Sequence, residues 1–156
     1  MHNGSTLKDL PVKLAFAAAL TLLITFCSAL DAEITVPDSI NMCEDDSYSI
    51  LINNSNDYPQ ESILLDVAIP EGTEYLAAST EISYPGGSSG SDPTITGLNL
   101  SWNLSQIMGR ELNASESILL SFRLKTLCEA VSGGRLEAEL TSTNDSLSLA
   151  SESIDV

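Results

Sequence analysis

The chain has 156 residues, 22 Asp and Glu against 6 Lys and Arg, and a formal net charge of −16. That length suits one domain with a hydrophobic core of its own. So negative a field repels phosphate backbones, which excludes nucleic acid as a partner, and it disfavours anionic membrane surfaces.

The first element in chain order is a targeting segment. Lys8 and Lys13 precede an apolar run from Leu14 to Cys27, broken only by Thr21 and Thr25. Cys27-Ser28-Ala29 and Leu30-Asp31-Ala32 then supply small residues for cleavage after Ala29 or Ala32. A positive start, an apolar run and a small-residue cut mark an export signal. Residues 1–32 are therefore read as a signal peptide, helical in its apolar run, and residues 33–156 as the folded domain. The alternative is an uncleaved anchor, since Leu14–Leu30 is 17 residues, the lower edge of spanning length. Only through that anchor would the chain touch a membrane. In both cases the domain is extracellular or on the cell surface.

Beyond the signal, apolar residues recur with period two, the pattern of half-buried strands. They run Tyr48-Ile50-Ile52, Ile63-Leu65-Val67-Ile69, Leu98-Leu100-Trp102-Leu104, Ile118-Leu120-Phe122-Leu124 and Leu136-Ala138-Leu140, with Leu147 and Leu149 opening a last strand. Shorter candidates are Ile34–Val36, Tyr75–Ala78 and Glu81–Tyr84. Turn residues separate the runs at Pro37-Asp38, Asn53–Pro59, Pro70-Glu71-Gly72, Gly109–Glu116, Ser132-Gly133-Gly134 and Thr143–Ser146. Pro85–Pro93 is read as a flexible loop, and Ser105–Leu112 as one helical turn at most. Roughly seven to nine such strands, each with one apolar face, predict an all-β fold: an immunoglobulin-like sandwich of two antiparallel sheets.

Cys27 lies in the signal, which leaves Cys43 and Cys128. Two cysteines in an exported domain are expected to pair. Beyond residue 32, five Asn-x-Ser sequons begin at Asn53, Asn99, Asn103, Asn113 and Asn144. The strand parity of Asn53, Asn99 and Asn103 is outward, and the other two fall in turns. All five are candidate N-glycosylation sites.

From Ile63 to Thr126 the chain resembles the domain of unknown function 11 family. The residues that carry the likeness are Leu65-Asp66-Val67-Ala68-Ile69-Pro70-Glu71-Gly72, Thr73-Glu74-Tyr75-Leu76-Ala77-Ala78-Ser79 and the strand Leu100-Ser101-Trp102-Asn103-Leu104. Leu112–Thr126 fits the family's polar turn and late strand, although Asn113-Ala114-Ser115 stands where a Pro-Gly turn is common. The resemblance implies immunoglobulin-like domains of bacterial and archaeal surface and secreted proteins, often repeated. It brings no catalytic residues.

Chemistry is sparse in the residues themselves. The only histidine is His2, so no Ser–His or Cys–His pair can form beyond the signal, and zinc lacks a ligand set. The acids Glu44-Asp45-Asp46, Asp57, Asp66 and Asp92 lack the spacing of an EF-hand loop. Glu71 with Glu74 is a conceivable carboxylate pair, but aromatic sugar platforms are few. Trp102 and Tyr48 read as core. Tyr58, Tyr75 and Tyr84 read as edge packing, with a ligand rim as the alternative. The sequence thus points to a non-catalytic structural or interaction module of the cell envelope, with no cofactor. Its expected partners are other envelope or extracellular proteins, and glycans as a second class. A carbohydrate-binding module and a calcium-dependent adhesion domain are the alternative readings.

Overall fold

The computed structural model describes residues 30–128, 134–143 and 145–151. The signal reading falls on residues outside this range, except at its last three positions. Eleven strands and one short helix make up the described chain. The first sheet holds β1 (Leu30–Thr35), β2 (Asp45–Asn54), β4 (Thr73–Tyr75), β5 (Glu81–Tyr84), β6 (Gly87–Ser89) and β9 (Ser117–Thr126). The second holds β3 (Leu64–Ala68), β7 (Thr94–Thr96), β8 (Asn99–Asn103), β10 (Glu137–Thr141) and β11 (Ser146–Ala150). All pairings are antiparallel. The fold is the immunoglobulin-like sandwich that the alternation predicts.

The longest strands, β2 and β9, pair at the centre of the first sheet, with Tyr48 opposite Phe122, Ile50 opposite Leu120 and Ile52 opposite Ile118. These six side chains are at most 1% exposed. They meet Leu65 and Val67 of β3, Leu100 and Trp102 of β8, and Ala138 and Leu140 of β10 in one core. Full burial of each aliphatic side chain contributes about 1.5–3 kcal/mol. The Trp102 ring lies tilted against Phe122 at 5.5 Å, and Phe122 stacks on Tyr48 at 5.8 Å. Trp102 therefore packs the core, as its position in the alternation implies.

β9 is also the hub of the first sheet. Its other edge is shared end to end by β4, against Leu124–Thr126, and β5, against Leu119–Ser121. The helix α1 (Leu104–Met108) follows β8 directly. Asn103 caps it by accepting the Gln106 N–H at 3.0 Å, and Gly109 ends it at φ 66°.

Four sequence expectations are corrected. β1 starts at Leu30, four residues before the candidate Ile34–Val36, and its first residue is 1% exposed. The loop read into Pro85–Pro93 begins as a hairpin: Pro85 and Gly86 (φ 95°) turn the chain, and β6 runs back along β5. β4 occupies Thr73–Tyr75 rather than Tyr75–Ala78, because Ala78 takes a positive φ of 59° that no strand continues. Leu98 is 40% exposed, not a core residue, because the left-handed Gly97 (φ 62°) places it in the turn before β8.

Candidate functional site

The disulfide expected from cysteine counting is present between Cys43 and Cys128, which are 85 residues apart in sequence. It lies where the chain enters β2 and leaves β9. The Cys43 N–H donates to the Thr126 carbonyl at 3.0 Å, and the Thr126 N–H to the Glu44 carbonyl at 2.8 Å. The link thus secures a junction that the backbone already closes. Both cysteines are exposed.

The opposite end of the sandwich is held by buried amides. Asn54 Nδ2 donates to the carbonyls of Tyr58 and Leu112, each at 2.9 Å, and its Oδ1 accepts the Asn56 N–H at 3.1 Å. Gln60, fully buried, exchanges backbone bonds with Leu112 and donates from Nε2 to Asp145 at 3.0 Å. Its Oε1 accepts from Ser142 at 2.7 Å. These residues fix the loops rather than face a ligand.

The sequons are distributed over the surface. Asn99 and Asn103 are exposed at the two ends of β8, and Asn113 is exposed in the turn after α1. Asn53 has outward parity but is half-buried, and its Oδ1 accepts from the Ser117 hydroxyl at 2.7 Å. Asn144 lies outside the described residues.

Among the tyrosines, Tyr48 is buried, and its hydroxyl has no partner. Burial, with the nearby Asp46 charge, pushes its pKa up to about 12. Tyr75 is half-buried and tied down: its hydroxyl donates to Asp92 at 2.5 Å and lies 2.7 Å from Thr80 Oγ1. Burial and the Asp92 bond raise its pKa. Tyr84 is half-buried, with its ring over Gly87. Tyr58 is 42% exposed on the loop after β2. The rim imagined for the three is spread over a loop, β4 and β5.

One carboxylate pair is brought together that the sequence reading missed. Glu61 and Glu111 lie fifty positions apart, and the backbone bridge between Gln60 and Leu112 makes them neighbours. A hydrogen bond with Glu61, then its charge, raises the Glu111 pKa. Both are exposed, and the neighbouring Arg110 is engaged by Glu116. On the outer face of the second sheet, Asp66, Glu137 and Glu139 line a shallow recess of about 450 Å³. Among the described residues no group of three or more His, Cys, Asp or Glu is arranged to hold a metal ion.

Another recess of similar volume has a mixed lining in which apolar side chains outnumber polar ones. It measures about 460 Å³ and lies between β4 and the β7–β8 turn, with Tyr75, Ile95, Leu98 and Leu127 in its walls. Ile95 is 54% exposed. No sequence pattern singled it out, because Thr94–Thr96 is too short to show alternation.

No family model matches this chain, and no curated protein matches it. Solved structures do. The full-length major pilin SpaD from Corynebacterium diphtheriae aligns at TM-score 0.60 and 14% identity over 80% of this chain and 34% of that one. The N-terminal domain of the Streptococcus gordonii adhesin Sgo0707 aligns at TM-score 0.57 and 17% identity, over 82% of this chain and 32% of that chain. BcpA, the major pilin subunit of Bacillus cereus, aligns in its D312A form at TM-score 0.54 and 11% identity, over 81% and 39%. The chain spans about a third to two-fifths of the length of each. Identity so low shows a shared fold, that of domains found in pilins and adhesins. Among the described residues no helix is long and apolar enough to cross a membrane.

Proposed function

We propose that the chain is a non-catalytic structural or interaction module displayed at the cell surface, related in kind to the domain of unknown function 11 repeats that its strand motifs resemble. The observation that carries this reading is the fold, shared with domains of two major pilins and an adhesin. A disulfide between exposed cysteines supports it, since such bonds persist in oxidising compartments. The export pattern read in residues 1–32 supports it as well.

The module acts as a rigid spacer and presenter. Its core is continuous, its ends are locked by the disulfide and by Asn54 and Gln60, and its surface is acidic. The carboxylates Glu61 and Glu111 line a wide-open recess of about 280 Å³ with Ser62, Ser105 and Arg110, and the Arg110 guanidinium is already engaged by Glu116; no enzyme activity is assigned to it. Sugar recognition by stacking finds no support in Trp102, which is 2% exposed. The exposed Asn99, Asn103 and Asn113 are proposed glycan acceptors. At Asn103 the cap uses Oδ1, which a glycan on the amide nitrogen would leave in place.

Lys125 is the single lysine beyond residue 13, and it is exposed. A membrane-impermeant amine reagent applied to intact cells is expected to label it. Labelling of Lys125 only after lysis would refute surface display.

A further inference from the structure

On one side of the sandwich β1 packs beside β11. On the other side the sheets part. Among the described residues β4 pairs only with β9 and β7 only with β8, so each leaves one edge without a partner strand. The cleft opens between these two edges. Ile95 defines its character. In register it opposes Leu100, which is fully buried, so Ile95 has the parity of the core. It is nonetheless 54% exposed, beside Leu98 at 40%. Single exposed apolar residues mean little, but several around one recess beside a free strand edge form a template for another strand.

Resting on the surface-module reading, we propose that this cleft takes an extended segment of a partner protein, which adds as a strand along β7. Alternate side chains of that segment are apolar and seat against Ile95, Leu98 and Leu127, while the backbone pairs with Thr94–Thr96. Charge selects the occupant. Glu74 lines the cleft, and Asp92 sits on the hydroxyl of its Tyr75 wall. Beyond residue 13 the chain has four bases. Arg110 and Arg123 are paired with Glu116 and Asp45, Lys125 stands in register between Asp45 and Glu74, and the fourth, Arg135, is exposed just before β10. The surplus is acidic, and a second copy of a chain of charge −16 would meet its own sign. The occupant therefore carries Lys or Arg on either side of its alternating apolar stretch. With β7 only three residues long, the apolar anchors and the basic flanks hold the segment more than the backbone does.

The test pans a random library of twelve-residue displayed peptides against the folded protein, with Ile95→Glu as the counter-target. The expected winners alternate apolar and polar residues between basic flanks. One of them, synthesised, is expected to bind the wild type at least tenfold more tightly than Ile95→Glu or Leu98→Glu. It should weaken as salt rises and shift the amide resonances of Thr94–Thr96. Unchanged near-ultraviolet circular dichroism and melting of both variants show that the fold survives, as their half-exposed positions imply. Winners that are acidic or lack alternation would overturn the proposal, as would equal binding to the variants or shifts confined to β1. Self-association abolished by Ile95→Glu would make a second copy the occupant and overturn it too. None of these outcomes touches surface display, which the labelling of intact cells decides on its own.

Discussion

Replacing both Cys43 and Cys128 by serine tests how this sandwich is held together. The cysteines are 85 residues apart, so the bond closes a long loop of the unfolded chain. Loop-closure entropy for that length is worth about 4.5 kcal/mol in the chain-entropy model, and native disulfides of small domains deliver about 2–5 kcal/mol when removed. The native junction keeps its two backbone bonds between residues 43–44 and Thr126 without the sulfurs. The loss therefore falls mainly on the freedom gained by the unfolded chain, and the fold itself should persist. For a domain of this size the melting temperature should fall by about 10–20 °C. Both cysteines are exposed, so a reductant added to the native protein should give the same drop as the double serine variant. The assay is thermal unfolding by circular dichroism on the oxidised, reduced and double-serine proteins. If all three melt within about 2 °C, the bond does not constrain the unfolded chain and the reasoning fails. If the reduced protein loses its sheet signal at 20 °C, the core alone cannot hold the fold.

Three further outcomes are expected. Trp102→Ala removes the largest fully packed core side chain and its contact with Phe122; chemical denaturation should show a loss of about 3–5 kcal/mol. Asn54→Ala removes the side-chain donor to the Tyr58 and Leu112 carbonyls and the acceptor of the Asn56 N–H, while the Leu112 carbonyl keeps its bond from the Gln60 N–H; about 1–2 kcal/mol should be lost, with hydrogen exchange accelerated first in residues 55–60 and 112–116. Tyr48→Phe removes a buried hydroxyl without a partner, so stability at pH 7 should change little. The folded pKa of Tyr48 is about 12 against an ordinary 10.0. The neutral phenol is therefore the form the fold holds, and its contribution is whole below pH 10 and lost as pH climbs toward 12. Denaturation measured across that window should fall more steeply for the wild type than for Tyr48→Phe; parallel curves would contradict the assignment.

The central strands were legible because each of them buries one face. β2, β3, β8, β9 and β10 each place apolar residues at every second position, and the pairing of Tyr48 with Phe122 and of Leu65 with Trp102 follows that parity. The disulfide was legible from there being only two candidates. Edge strands were not. Gly87–Ser89 and Thr94–Thr96 are three residues each, and an edge has too little burial to impose alternation. The start of β1 was hidden for a different reason: Leu30 serves the core, yet in sequence it continues the apolar run of the export signal. The cleft was hidden because Tyr75, Leu127 and the pair Ile95 and Leu98 come from three segments, and only the parting of the sheets leaves them open. Glu61 and Glu111 escaped notice likewise, joined by a bridge between residues that show no pattern.

The most direct measurement is the intact mass of the native protein released from the cell surface, with and without reduction. Leu30, Asp31 and Ala32 belong to β1 and pair with Asn54, Asn53 and Ile52. An exported module cut after Ala29 keeps that strand, whereas a cut after Ala32 would remove half of it, including a buried leucine. The expected mass is that of a chain beginning at Leu30, two hydrogens lighter before reduction than after. A full-length dithiol chain recovered only from inside the cell would contradict it.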